Sequence, residues 1–401
     1  MKKFLFTAYS FLIFFTPLLF VRSTNELFEF PKTFLLYFVS GLIFISVSVA
    51  FILKPRKIKF PAPAVLLFVL INIVCTLFSS HAYTSVWGYY GRFNDSLIST
   101  LVFFGLYVIA INIFSKEDFK NFLKFAILAS ILVSIFGVIQ KADRVYSTFG
   151  QPNWLAQYLA IILPFIIYLV ITSKNFGIWV FVYALEFTCL WFTYSLAGFL
   201  GFIASVFVLI LVLFSLNLLN WKTLGRLVIL GAVSLVVVIF NFAFFENRIH
   251  DVIFDASKLL GNIQRVYALE DSNIVSDPGY IRFGLWRGTF DLIMSSKKNF
   301  LVGCGPETFP YAFQPFRPAI LNYSSEWDFV LNKPHNYFLE VFSELGFVGL
   351  VSYLLLLSYG IKRGPKIILP SVVAFLVTNF FGWPIVATSL LFWVWLAYVE
   401  K

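Results

Sequence analysis

The sequence predicts an all-α polytopic membrane protein with about 12 transmembrane helices and one large extracytoplasmic loop that contains helices of its own. Composition is the first observation, because hydrophobic residues make up 60% of the 401 residues and charged residues only 12%. The second is a series of apolar runs, each long enough to cross a hydrocarbon core of ~30 Å. The third is the absence of the period-2 alternation that is typical of membrane strands.

Each long apolar run is predicted to be one helical span, because backbone groups in lipid must be hydrogen-bonded within the segment. Met1-Lys2-Lys3 before the first run resembles the start of a signal peptide. No small-x-small cleavage site follows Phe20, so we interpret this run as a retained helix. The predicted spans are 4–21, 33–53, 62–79, 97–114, 121–140, 153–172, 177–194, 196–216, 227–245, 336–360, 367–383 and 385–399.

Lys and Arg residues predict the orientation, because basic loops resist translocation. With the N-terminus in the cytoplasm, sixteen of the thirty basic residues fall in cytoplasmic segments and five in short outer loops. We therefore expect residues 1–246 to hold the first nine helices, 247–334 to form the extracytoplasmic loop and 335–401 to hold three more. Both termini are then cytoplasmic. The net charge of +10 lines the cytoplasmic face and requires no nucleic-acid partner.

Few ionisable residues are predicted to lie deep in the membrane. Glu186 is the one acid well inside a span, whereas Glu340 and Glu344 lie near the outer end of the tenth run. Transporters usually bind their solute with ionisable residues or broken helices near the bilayer midplane. The distribution therefore favours catalysis or binding at the outer interface. All three histidines map to that side: His81, His250 and His335.

Within the loop, residues 247–271 and 280–295 are predicted to be helical because their apolar residues recur at three- and four-residue steps. In the second helix, Ile281, Leu285, Thr289 and Leu292 share one face. The Gly-Cys-Gly-Pro sequence at 303–306 then breaks the chain sharply. Residues 311–329 are rich in aromatic side chains and are predicted to form an irregular lid.

Several separated motifs stand in order along the chain: STFGQPNWLAQYLAIILP at 147–164, YIRFGLW at 280–286, FLVGCGP at 300–306, PHNYFLE at 334–340 and ELGFVG at 344–349. Weaker ones are VWGYYGR at 86–92 and LFWVW at 391–395. Taken together, they resemble the O-antigen ligase and polymerase superfamily of bacterial membrane glycosyltransferases.

The resemblance implies transfer of a glycan from an undecaprenyl diphosphate carrier to an acceptor hydroxyl, at the outer face of the bacterial cytoplasmic membrane. It implies no nucleotide sugar, no required metal and no other cofactor. The expected partners are the lipid-linked donor, the bilayer and an acceptor that is lipid-, glycan- or protein-linked. Lipid A-core, another repeat unit and a protein hydroxyl remain open as acceptors.

His335 is the predicted general base, because a neutral imidazole with a pKa near ~6.5 accepts a proton at physiological pH. A diphosphate leaves readily, so the site chiefly needs this base and cations for the phosphates. Arginine suits that task through bidentate charge-assisted hydrogen bonds. Arg282 is the first choice for it, followed by Arg92, Arg144 and Arg287. The alternatives for Arg282 and Arg287 are binding to anionic lipid headgroups and salt bridges to acids of the loop such as Asp277 and Asp291.

Three polar residues complete the predicted substrate-binding set. Gln151 and Asn153 are expected to hydrogen-bond the headgroup or the sugar, although Asn153 equally fits a helix cap. Asn336 follows His335 in the same motif. One position departs from the family, because many members carry Arg after the Ser that opens the eighth helix, whereas Leu196 follows Ser195 here. Either another arginine supplies this phosphate contact or the donor binds differently.

Two other classes of function compete with this hypothesis. A metal-dependent lipid-linked glycosyltransferase would use acids of the first outer loop, for which Glu26 and Glu29 are candidates. A flippase or permease for lipid-linked sugars would need binding residues at membrane depth and would not need His335.

The orientation is open to a direct test with reporter fusions. A fluorescent protein fused after Lys401 is expected to fluoresce, and a phosphatase that is active only outside the cytoplasm is expected to be active when fused within 278–334. The opposite pattern would reverse the predicted topology.

Overall fold

The computed structural model describes residues 1–140, 142–240 and 278–401, and these residues form helices and turns with no β-strand. The helices of the main bundle lie in the first and last parts of the chain, and a set of shorter helices lies between these two parts. In chain order the described α-helices are α1 (Lys2–Phe15), α2 (Glu29–Leu53), α3 (Pro63–Leu77), α4 (Ala82–Trp87), α5 (Leu97–Ile113), α6 (Lys116–Ile139), α7 (Pro152–Thr172), α8 (Phe176–Phe192), α9 (Leu196–Ser215), α10 (Trp221–Phe240), α11 (Pro278–Met294), α12 (Lys297–Val302), α13 (Phe309–Ala312), α14 (Tyr337–Arg363), α15 (Leu369–Phe380) and α16 (Val386–Val399).

Each of the twelve predicted spans overlaps one of these helices, so the all-helical prediction is confirmed for the described residues. Six helices are long and apolar enough to cross a membrane, namely α2, α6, α7, α9, α10 and α14. Five further apolar helices are only 10–17 residues long: α3, α5, α8, α15 with its preceding turn, and α16. A total of about twelve spans therefore stays a prediction.

Some predictions fall outside the described residues. They are the helix at 247–271, the boundary between 246 and 247 and the end of the ninth run. The helix predicted at 280–295 is present as α11, and its predicted apolar face is buried, with Leu285 and Thr289 fully enclosed. This face joins a small second core with side chains from the irregular segment that follows it: Phe309, Phe313, Leu321 and Leu331.

Helix α7 lies at the centre of the bundle, and most of its length is buried. It packs against α8, α9 and α15, and α9 in turn packs along α15. Small residues allow the close approach of α9 and α15, because a Cβ atom at Gly201 would lie 2.7 Å from Cγ2 of Thr378. Close packing through small side chains is typical of helices in membranes, where no hydrophobic force drives one helix onto another.

Helix α14 is interrupted at Gly346, which adopts φ +68° and ψ −171°. The interruption removes the intrahelical N–H donors that the carbonyl groups of Ser343 and Glu344 would otherwise have. The Gly-Cys-Gly turn replaces those donors, since Cys304 N–H donates to Ser343 O and Gly305 N–H donates to Glu344 O, each at 2.9 Å. The turn is thereby joined to the helix by backbone hydrogen bonds.

The segment at 301–305 and helix α14 cross at a contact that only glycine permits. A Cβ atom at Gly346 would lie 2.3 Å from the carbonyl carbon of Leu301. On the other side of the contact, Gly303 has φ +74°, and its Cβ atom would lie 2.3 Å from the carbonyl of Glu344. Both positions also need a positive φ, which side chains with a Cβ rarely adopt.

The crossing predicts that Gly346→Ala destabilises the protein by roughly 1–3 kcal/mol or more, because it adds both strain and a backbone clash. The matched control is Gly231→Ala in α10, where a Cβ atom would meet nothing within 4 Å. Alanine is favoured over glycine by up to about 1 kcal/mol within a helix, so this control is expected to be neutral or stabilising. Thermal unfolding of the detergent-solubilised variants measures both. Equal melting temperatures for the two variants would contradict the assignment.

Candidate functional site

His335 lies in a short irregular segment at one end of the bundle, directly before α14. Its backbone adopts a left-handed conformation with φ +55°. Hydrogen bonds fix both neighbours. The Pro334 carbonyl accepts from Trp286 Nε1 at 3.0 Å, and Asn336 Oδ1 accepts from the N–H groups of Phe338 and Leu339 at 3.0 and 3.1 Å. Non-glycine residues in this region cost energy and cluster at functional sites. The surroundings therefore determine where the imidazole lies.

The sequence-predicted residues Gln151 and Asn153 line the same pocket as His335. The pocket has a volume of about 20 Å³, and the polar side chains of Gln157 and Thr378 also line it. Its aromatic wall includes Trp154 and Trp383, and the ring of Trp383 meets the imidazole edge-on at 5.0 Å. A volume of this size holds about one water molecule. A glycan or a diphosphate can enter only if the surrounding segments move apart.

Arg92 lies at the edge of this pocket. Its guanidinium carbon is 5.1 Å from the ring of Trp154 and 5.6 Å from that of Trp383, so both indoles hold the cation by cation–π contacts. Its Nη1 atom is buried and has no hydrogen-bond partner among the described residues. A buried donor without an acceptor is costly, so the arrangement suits an anion that supplies the acceptor.

Arg282 approaches His335 from α11, and its guanidinium carbon lies 5.8 Å from the ring of Phe381. Its charge and that of Arg92 both act on the imidazole. Arg287 is exposed on another part of α11, and no contact links it to the pocket in the part of the chain that the structure describes. The structure thus brings together two of the four predicted arginines around His335.

Arg144 reaches the pocket through Asn153. Its Nη2 donates to Asn153 Oδ1 at 3.4 Å, and its Nε donates to the Thr193 carbonyl at 3.0 Å. The cap of α7 is Gln151, whose Oε1 accepts from the Trp154 N–H at 3.0 Å. The helix-cap alternative considered for Asn153 therefore applies to Gln151, and Asn336 likewise caps α14. Substrate binding by Gln151, Asn153 and Asn336 stays a prediction.

The imidazole of His335 is held neutral. Burial, followed by the positive charges of Arg282 and Arg92, lowers the pKa of His335 from 6.5 to about 3. Both effects oppose the imidazolium form. The site therefore combines a neutral base with two fixed cations, and it can accept a proton while it binds an anion.

Residues 180–354 match the family model described as O-Antigen ligase. This match covers fewer than half of the 401 residues, and it supports the O-antigen ligase/polymerase superfamily of membrane glycosyltransferases. Together with the apolar helices it suggests a bacterial membrane protein. No curated protein matches the chain. The matched segment contains Arg282 and His335, whereas Arg92, Arg144, Gln151 and Asn153 precede it.

A buried charged cluster that the sequence analysis missed lies near the start of α14. The ammonium of Lys333 forms ion pairs with Glu307 and with Glu340, the latter at 2.5 Å, and lies 3.6 Å from Asp95. We call these four residues the Lys333 cluster. A fourth acid beside the cluster, the buried Glu344, accepts from the Glu307 N–H at 2.8 Å. The sequence analysis placed Glu340 and Glu344 near the outer end of this helix, and the structure adds that both side chains are buried there.

The pKa values of the groups in the Lys333 cluster depend on one another's charges. Burial on its own would lower the pKa of Lys333, but Glu307, Glu340 and Asp95 raise it well above the ordinary value. For Asp95, burial raises the pKa to about 7, against the opposing influence of Lys333. The Lys333 ammonium therefore stays charged in these surroundings. Asp95 beside it is protonated in part of the molecules at neutral pH.

Two sets of acids bear on the metal-dependent alternative. Oxygen atoms of Asp95, Glu307 and Glu340 all lie within 4.8 Å of one another, as hard cations require, but the Lys333 ammonium already lies among them. Glu26 accepts from the Phe28 and Phe30 N–H groups at the start of α2. Glu29 pairs with Lys32 and accepts from the Val386 N–H at the start of α16. Both acids of the first outer loop thus serve helix ends.

The lowered pKa of His335 predicts how the site responds to acid. Diethyl pyrocarbonate modifies only unprotonated imidazole, so labelling of His335, followed by mass spectrometry, is expected to be nearly independent of pH between 7 and 5. Free N-acetylhistidine, with a pKa of ~6.5, is the control that slows in this range. Because the folded pKa is the lower one, stability is lost as pH falls from ~6.5 towards 3. A labelling midpoint near 6.5 would contradict a neutral, enclosed His335.

Proposed function

We propose that the protein transfers a glycan from an undecaprenyl diphosphate carrier to an acceptor hydroxyl at the outer face of the cytoplasmic membrane. The observation that carries this proposal is a histidine that lies close to two arginine cations at a pocket between the O-antigen ligase-like segment and the rest of the bundle. The O-antigen ligase/polymerase type already implies a glycan-linked substrate and the membrane. The carrier, the acceptor and the residue roles are our inference.

Arg92 and Arg282 bind the diphosphate of the donor in this proposal. Arg92 is supported by its buried Nη1, which an oxygen of phosphate would satisfy. Arg282 is supported by its charge beside His335. Arg144 is a third cation in the vicinity, and it lies next to the turn that leads into Ser195 and Leu196. It is our candidate for the phosphate contact that Leu196 does not provide.

His335 removes the proton from the acceptor hydroxyl as the new bond forms. The acceptor oxygen attacks the anomeric carbon of the donor sugar, the bond from that carbon to the diphosphate oxygen breaks, and undecaprenyl diphosphate leaves with the electron pair. The arginines stabilise the negative charge that develops on the leaving group. No acid is required to protonate it, because a diphosphate is a stable anion.

Donor binding makes His335 a better base in this scheme. In the free protein burial, and after it the charges of Arg282 and Arg92, oppose protonation of the imidazole. A bound diphosphate offsets the charges of the two arginines, which raises the pKa of His335 from its value in the free protein. The base is thus activated by the substrate that has to be present before the acceptor proton is removed.

Substitutions test these roles in a transfer assay with purified protein and a polyprenyl diphosphate-linked glycan. His335→Ala is expected to lower kcat by ~10²–10⁴, the usual contribution of a general base, with folding and membrane insertion intact. Arg282→Ala is expected to lower kcat/KM for the donor by roughly 10- to 100-fold, the value of a hydrogen bond to a charged group. Arg287→Ala is the matched comparison from the same helix and is expected to have the smaller effect. Full transfer by the His335 variant would remove this residue from the mechanism.

A chelator distinguishes the metal-dependent alternative in the same assay. Activity that survives prolonged treatment with EDTA supports the metal-free mechanism. Activity that is lost with EDTA and restored by a divalent cation would point to the acids of the Lys333 cluster as ligands. Each acceptor class, supplied in turn, distinguishes ligation from polymerisation and from protein O-glycosylation.

A lipid-linked glycan flippase is the second candidate function. Two observations favour it: the interruption of α14 at Gly346 and the buried ionisable residues beside it are features that transporters use. Transfer in detergent micelles, where no two compartments exist, separates the candidates. A flippase yields no glycosylated product there, whereas a transferase does.

A further inference from the structure

Two irregular segments of the chain each contribute to both the pocket and the Lys333 cluster. In the first segment Arg92 extends to the pocket and Asp95 to the cluster. In the second, His335 lines the pocket and Lys333 forms the ion pairs. Only two residues separate the members of the first pair and only one separates those of the second. Movement of the cluster would therefore move the two groups on which the proposed chemistry depends.

The ion pairs of Lys333 join four separate parts of the fold. Asp95 precedes α5, Glu307 follows the Gly-Cys-Gly turn, and Glu340 lies in the first turn of α14. The side chains of Lys333, Glu307 and Glu340 are each at most 4% exposed. Charges that are enclosed to this extent bind strongly to one another, since water does not screen them. Lys333 is the common partner of all three carboxylates.

The backbone at these positions is strained. Asp95 and His335 both have φ +55°, and Glu307 has φ +58°. Such conformations persist when surrounding contacts over-determine them. Asp95 and Glu307 meet Lys333 directly, and His335 is two residues from it along the chain. The ion pairs supply contacts of the kind that hold these three residues in place.

We infer that Lys333 is a positioning residue that aligns His335 with Arg92 by holding Asp95 and Glu340 at fixed places on either side. The inference rests on the proposed function, because it assigns the aligned groups to base and phosphate binding. Lys333 itself does not touch the pocket, so it acts through its neighbours and takes no part in the chemical step. A misplacement of about 1 Å in such a group can cost on the order of 10²-fold in rate.

Lys333→Met is the first test, because methionine nearly retains the side-chain length while it removes the charge. We expect kcat to fall on the order of 10²-fold and the donor KM to rise. We also expect diethyl pyrocarbonate labelling of His335 to gain a pH dependence with a midpoint closer to ~6.5, because water would reach the loosened imidazole. Labelling needs no glycosyl transfer, so it tests the positioning role even if the proposed reaction is wrong.

Lys32→Met is the matched control, since Lys32 is also a fully buried lysine that pairs with a glutamate, Glu29. It is expected to lower the melting temperature, as Lys333→Met does, while the pH profile of His335 labelling stays that of the wild-type protein. If both variants change the labelling alike, general destabilisation explains the effect and the positioning role is overturned.

Asp95→Asn provides a second variant in case Lys333→Met does not fold. It removes one negative charge from the cluster and leaves no unpaired lysine, because Glu307 and Glu340 remain. The inference predicts a several-fold rise in the donor KM with a smaller change in kcat, since this residue aligns Arg92. Wild-type values of both constants for Asp95→Asn would overturn the inference. A wild-type protein without transferase activity would overturn the proposed function instead, and the labelling comparison would still decide the role of Lys333.

Discussion

The crossing of the Gly-Cys-Gly turn with the interrupted helix α14 is the constraint on which the site depends. The helix gives up two of its own hydrogen bonds at Gly346, and Cys304 and Gly305 replace them. These hydrogen bonds fix the segment that leads to Glu307 relative to the segment that begins at His335. Because the contact consists of backbone on both sides, it tolerates little change in distance. Side chains that follow the crossing are therefore placed by main-chain geometry.

Electrostatics adds a second level of constraint. The Lys333 ammonium and its carboxylates lie away from water, where the loss of a single partner from a buried pair costs roughly 3–5 kcal/mol. On the other side of the same segment, Arg92 and Arg282 oppose a charge on His335. The short segment from Lys333 to His335 thus separates the enclosed, negatively charged Lys333 cluster from the positively charged pocket. The positive pocket suits the anionic donor that we propose, and the enclosed cluster does not.

Much of the architecture could be predicted from the sequence because apolar runs and their bounds are local properties. The twelve runs, the helix at 280–295 and the irregular segment after it all depend on neighbouring residues. His335 and Arg282 were predicted as well, since their motifs are local too. The Lys333 cluster could not be predicted, because its four members come from segments that become neighbours only after folding. Glycine is compatible with an unbroken helix, so the interruption at Gly346 gave no local signal either. The motif at 280–286 contains Arg282 and not Arg287, and the orientation of α11 adds that Arg287 is exposed.

The position of Arg92 between Trp154 and Trp383 has a consequence for how such proteins can be recombined. The indoles come from α7 and from the link between α15 and α16, and the arginine comes from the segment before α5, so all three lie outside residues 180–354. A chimaera that exchanges only residues 180–354 would bring in a foreign histidine and α11 arginine. It would leave the tryptophan-held cation of the original protein in place. The proposed phosphate-binding cation would then come from one parent and the proposed proton acceptor from the other.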